Sequence, residues 1–147
     1  MKKKAFIGFI VILVLIQFIP KREMLPPVDE SQDFFSVVNA PEEVETLVKD
    51  ACYQCHSHSQ EFPWYDAVQP ISWWIRGHVY YGQSSLDFAT WSQQDASEQS
   101  HKMLEASEEV ASAHMPMKSY TWMHEEAQLD ERERKLLAAF FKSMGSD

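Results

Sequence analysis

A chain of 147 residues is long enough for one domain with a single core and an appendage. Its formal charge of −9 is unevenly split: five of the 13 basic residues lie in the first 22 positions, and none of the 22 acidic ones do. From residue 23 onward the balance is −14, which argues against nucleic acid as a partner and is compatible with a basic docking partner or with simple solubility.

The chain opens "MKKKAFIGFIVILVLIQFIPKR", three lysines and then an apolar run from Ala5 to Ile19 broken only by Gln17. The run is short for a ~30 Å hydrocarbon core, and a secretory signal peptide has the same plan. No small-residue cleavage site follows it, however, and Lys21 and Arg22 can snorkel to an interface. Residues 1–22 are therefore expected to be a retained membrane anchor. That would leave the remainder on the periplasmic, extracytoplasmic side of the inner membrane. Residues 23–40, rich in proline and acid and without a sustained period, are expected to be a linker. Phe34, Phe35, Val37 and Val38 would lay part of it on the surface of a domain spanning 41–147.

From "APEEVETLVKDACYQCH" a helix is expected, with Pro41 in its first turn and Glu42 and Glu43 at its positive end. Val44, Leu47, Val48, Ala51, Cys52 and Cys55 share one face at 3-4 spacing. Residues 61–91 are dense in aromatics, with a short helix from Pro70 to near Gly82. A further helix over 97–113 places Met103, Leu104, Ala106, Val110 and Ala111 at its less polar positions. "HMPMKSYTWMHEEAQL" reads as loop, because Pro116 disfavours helix at Met115. The last helix, "LDERERKLLAAFFKSMGS", starts at an Asp130/Glu133 capping box and presents Leu136, Leu137, Phe140, Phe141 and Met144 as its buried face. Nothing alternates with period two, so the domain is expected to be all-α.

Cys52 and Cys55 are the only cysteines, and His56 follows the second directly. C-x-x-C-H is the attachment pattern of a c-type haem. Each thiol can form a thioether with one haem vinyl group, which leaves the histidine placed to ligate the iron as the proximal ligand. A redox dithiol gains less here, since the pair ends its helix and loses the dipole that lowers a thiol pKa. A zinc site has no second cysteine pair. Met115, a thioether donor stiffened by Pro116, is the first candidate for the distal iron ligand, with core filling as its bland alternative. His78 and His124 are the histidine alternatives, with His114 behind them. Trp64, Trp73, Trp74 and Tyr120 are expected to wall the haem, and Arg76 to pair with its propionates.

The run "CYQCHSHSQEFPWYDAVQPISWWIRGHVYYGQSSLDFATW", then "HMPMKSYTWMH" and "LDERERKLLAAFF", resembles the bacterial haem-binding domain family of small c-type cytochrome-like proteins. The resemblance covers roughly residues 40–145. It implies a cytochrome c-like helical fold around one covalent haem, bound through Cys52 and Cys55 with His56 proximal. The Met115–Pro116 loop resembles the distal-ligand loop of class I cytochromes c, from which the tryptophan-rich insert departs. The expected function is single-electron transfer by a membrane-anchored mono-haem cytochrome with an unknown redox partner, since no nucleophile–base pair accompanies the motif. The alternatives are a haem domain with an open distal site, acting as a peroxidase-like enzyme or small-ligand sensor, and a C-x-x-C dithiol or metal-binding module.

Overall fold

The computed structural model describes residues 2–146, and among them every regular element is helical. Helix α1 (Lys2–Leu15) runs into a 3₁₀ turn at Ile16–Phe18 and stops before Pro20. Its 14 residues rise about 21 Å against a ~30 Å hydrocarbon core. Among the described residues no helix is long and apolar enough to cross a membrane, so the anchor expected over 1–22 is not found as a spanning helix.

Lys21 and Arg22 do not extend that segment either. Lys21 donates to the Asp66 carbonyl at 2.7 Å and pairs with its carboxylate at 3.5 Å. Arg22 lies over the Tyr80 ring, 4.0 Å from its centroid. The Gln17 amide meets the backbone of Gln69 twice, donating to its carbonyl (3.1 Å) and accepting from its N–H (3.0 Å).

The stretch expected to be a linker carries a 3₁₀ turn at Glu30–Gln32 and a one-turn helix α2 (Phe34–Val37), whose Phe35 N–H is capped by the Asp33 carboxylate at 3.0 Å. Phe34 goes deeper than a surface position: it is wholly buried, 4.9–5.1 Å from the rings of Phe35, Phe88 and Trp91. Helix α3 (Glu42–Val48) then passes through a π turn at Lys49–Tyr53 into α4 (Gln54–His56). Helix α5 (Ile71–Ser85) continues past Gly82 and packs on α4. Asp95 caps α6 (Ala96–Ala111) through Glu98 N–H at 2.9 Å. The region read as loop holds a short α7 (Lys118–Thr121), and the Asp130–Glu133 capping box opens α8 (Glu131–Gly145) with both of its bonds formed.

The core lies where α3, α6 and α8 meet, around Phe34, Val44, Val48, Phe88, Trp91, Met103, Val110, Leu137 and Phe141. Helices α6 and α8 make the most extensive helix pair, stitched by Ser107 Oγ to the Ala138 carbonyl (2.7 Å) and Ser100 Oγ to the Gly145 carbonyl (2.6 Å). The α3 stripe reaches that core through Val44 and Val48, and Ala51 of the π turn is buried as well. On α6, Leu104 and Ala111 instead face solvent. The end of α4 is tied in by backbone bonds: Phe88 N–H donates to the His56 carbonyl (2.8 Å), and Phe34 N–H to that of Phe88 (2.9 Å).

Candidate functional site

The motif straddles the change from π to α winding, an irregularity often found where a helix serves a site. Cys52 lies in the π turn and Cys55 in α4; both thiols are free and half-buried. Cys52 faces a cavity of about 390 Å³ with His56, Phe88, Val110, Met115 and Phe141. Cys55 faces a smaller one of about 160 Å³ with His56, Tyr81, Met115, Pro116 and Tyr120. His56 and Met115 border both spaces, so each cysteine opens on a cavity that holds the same imidazole and the same thioether.

Burial in these apolar surroundings pushes the Cys52 thiol up to about 12, with the Cys55 charge adding to it. Burial alone takes Cys55 to about 11. Both are therefore neutral thiols at physiological pH. A working dithiol or zinc knuckle needs thiolate, which this environment disfavours. Among the described residues no group of three or more His, Cys, Asp and Glu side chains converges as a bare-ion site would require. A thioether carries no charge and suits such a place.

His56 is oriented from the segment after α5. Its Nδ1 lies 2.9 Å from the Leu86 carbonyl. A carbonyl only accepts, so Nδ1 carries the proton and Nε2 keeps its lone pair, the state a metal ligand needs. Burial lowers the imidazole pKa, against the opposing pull of the Leu86 and Gly82 carbonyls and the Asp87 charge, and so favours the neutral ring. The edge of the Phe88 ring meets the imidazole, with centroids 6.4 Å apart. Helix α5 comes this close because residue 82 has no side chain: a Cβ there would stand 2.7 Å from the Cys55 carbonyl oxygen.

Met115 follows the α6 terminus, where Ala113 adopts a left-handed conformation (φ 60°). The N–H groups of His114 and Met115 both donate to the Glu109 carbonyl at 3.1 Å. From α8, Arg134 Nη1 donates to the carbonyls of Val110 (2.9 Å) and Met115 (2.8 Å). These bonds fix the loop that presents the methionine.

The other expected site residues divide. Trp64, Trp74, Tyr120, His78 and His124 line a third cavity of about 380 Å³, which adjoins the second at Cys55 and Tyr120. Trp64 is 81% exposed and Trp74 50%, so they form its rim. Trp73 lines none of the three, because the ~100° turn between successive helical residues sends it to a different face of α5 from Trp74. His78 also faces the second cavity, with Nδ1 2.7 Å from the Trp74 carbonyl and Nε2 left over. His124 shares no cavity with His56. Its ring stacks on Tyr120 (4.2 Å) between the Tyr65 hydroxyl (3.2 Å from Nε2) and Glu126 (3.0 Å from Nδ1). His114 is exposed beside Glu109. Arg76 is engaged within the protein, by the Asp66 carboxylate at 2.8 Å and the Phe62 ring at 4.3 Å from its centroid.

Sequence reasoning missed the Leu86 carbonyl, the Arg134 clamp and the role of Gly82. Only the last left a signal, a glycine inside an otherwise helical aromatic run.

A family model for the haem-binding domain matches residues 11–143. No curated protein and no solved structure matches the chain. The side chains present fit such a group. Two neutral thiols flank an imidazole with a bare Nε2, and the space beside Cys52 is lined by Leu86, Phe88, Val110 and Phe141 together with Lys102, Glu105, Glu108 and Glu109.

Proposed function

The chain belongs to the haem-binding domain family, and from that membership we propose that it is a mono-haem c-type cytochrome carrying single electrons. In this reading Cys52 and Cys55 hold the haem as thioethers, His56 Nε2 is the proximal ligand and Met115 Sδ the distal one. The haem, when bound, supplies an iron that cycles between ferric and ferrous states. The protein's part is to hold that iron's surroundings constant, so that little reorganises when an electron arrives. The Leu86 carbonyl keeps the imidazole turned and in one tautomer. Leu86, Phe88, Val110 and Phe141 supply the apolar part of the lining beside it.

The observation that carries the reading is that His56, its Nδ1 already committed, shares two cavities with Met115 while a free thiol borders each. His78, with Nε2 left over in one of those cavities, makes bis-histidine ligation the second reading. Its lower reduction potential would distinguish it.

The lysine-led apolar α1 and the chemistry of thioether attachment support an extracytoplasmic location, with α1 meeting lipid. A groove of about 750 Å³ lined by Asp29, Asp33, Glu45, Asp50 and Glu61 supports a redox partner with a basic docking surface.

The deciding experiment is the intact mass of the denatured protein from cells competent in cytochrome c maturation. A gain of one haem supports the reading. An apo mass with two titratable thiols refutes it.

A further inference from the structure

Arg134 is in the wrong chemical company for a surface arginine. It sits on the first turn of α8, half-buried, and one nitrogen of its guanidinium serves two backbone carbonyls: Val110 inside α6 and Met115 beyond its end. Arg132, two positions earlier, is exposed and pairs with the Glu43 carboxylate at 2.5 Å.

A helix C-terminus leaves carbonyls without partners, and a cation there is ordinarily just a cap. Capping accounts for the Val110 bond. It does not account for Met115, which lies past the left-handed turn at Ala113 and outside the helix. The Met115 peptide is held from both directions: its N–H by Glu109 of α6, its carbonyl by Arg134 of α8. Of the flanking residues, His114 adds its own N–H to the Glu109 carbonyl, but among the described residues no other side chain holds the Met115 carbonyl. Ser112 and His114 are exposed, and Pro116 has no N–H to give.

We propose that Arg134 is the positioning residue for the distal methionine: by tying the Met115 carbonyl to α8 it sets where the thioether stands relative to His56. This rests on the reading of Met115 as an iron ligand. Helix α8 is anchored in the core by Leu137 and Phe141, so Arg134 makes the loop part of a rigid element. A flexible loop would let the weak thioether ligand leave the iron.

The test compares haem-loaded wild type with Arg134→Met, Arg134→Lys, Arg132→Met and Met115→Ala. It measures the far-red charge-transfer band of thioether-ligated ferric haem, the reduction potential, and the affinity for added imidazole. Arg134→Met is expected to lose most of the band, lower the potential and bind imidazole about tenfold or more tighter, the scale of one lost charge-assisted bond. Arg134→Lys, which keeps the charge and its donors, should recover part of all three. Arg132→Met removes an equal charge nearby and should change none of them. Should Arg134→Met not fold, Arg134→Gln, whose amide keeps donors but not the charge or the reach, should shift all three in the same direction by less.

A wild-type band and imidazole affinity in the Arg134 variants, with Met115→Ala altered, would overturn the positioning role and leave the ligand reading intact. An unaltered Met115→Ala would overturn both. Equal shifts from Arg132→Met and Arg134→Met would reduce the effect to charge and overturn the positioning role as well.

Discussion

At Cys52 and Cys55 the surroundings matter more than the spacing. Both thiols are held protonated by burial, up to about 12 and about 11 against the ordinary 9.0. In the haem-free chain, from pH 9 up to about 11 for Cys55 and about 12 for Cys52, the folded state therefore keeps protons that the unfolded state has lost. Stability is full below pH 9 and falls as pH rises through that window. Alkylation at pH 8 should run about a hundredfold slower or more in the folded apo chain than in denaturant, because burial keeps both thiols protonated. Iodoacetamide kinetics with and without urea measure this; equal rates would mean the thiols are not desolvated. Met115→Ala belongs to the same scale. Its haem-loaded form should show a lower reduction potential and rapid carbon monoxide binding once reduced, and a wild-type potential and spectrum would count against methionine ligation.

Among the elements, two small residues matter for different reasons, one for space and one for backbone conformation. Gly82 lets α5 approach the Cys55 carbonyl, and no side chain fits in the 2.7 Å available. Gly82→Ala should cost about 1–3 kcal/mol in urea unfolding and reduce haem loading, because the displaced helix leads directly to the Leu86 carbonyl that orients His56. Ala113 is the opposite case. At φ 60° it occupies the position after a helix that glycine prefers, and Ala113→Gly should stabilise by about 1 kcal/mol, read as a rise in melting temperature.

The elements also show what the sequence disclosed. The capping box and apolar stripe of α8 were legible because both are local: Asp130 and Glu133 meet only each other, and Leu137 and Phe141 recur on one helical face. The helix leading into the motif was legible too, but not its π turn at 49–53, which one-face periodicity does not register. The Leu86 carbonyl acts through its backbone, and Arg134 meets its partners only because α8 packs across α6. Neither leaves a trace in residue type or spacing.

For the molecule as a whole, the least legible feature was how much the segment before α3 contributes. Proline and acid made 23–40 look like a spacer, yet Phe34 fills the core and its N–H joins the chain of backbone bonds that ends at His56. Phe34→Ala should cost about 3–5 kcal/mol, as large-to-small changes in a close-packed core do. Comparing urea midpoints for chains begun at residue 20 and at residue 38 would check this: the first should keep most of the stability and the second should not.

The Gln17–Gln69 amide pair and the Lys21–Asp66 ion pair bear on direction. They clamp the foot of α1 to the loop before α5, so the apolar helix is a stalk set at a fixed angle and not a leash. Whatever surface α1 meets thereby also dictates which way the Cys52 and Cys55 openings face. Under the electron-transfer proposal, contacts outside the C-x-x-C-H motif would then set the direction of electron entry and exit. Combining Gln17→Ala with a glycine and serine insertion between Phe18 and Lys21 frees α1 from both clamps. It should leave the spectrum alone and let the pocket swivel, so a loss of turnover with a surface-bound partner would report orientation.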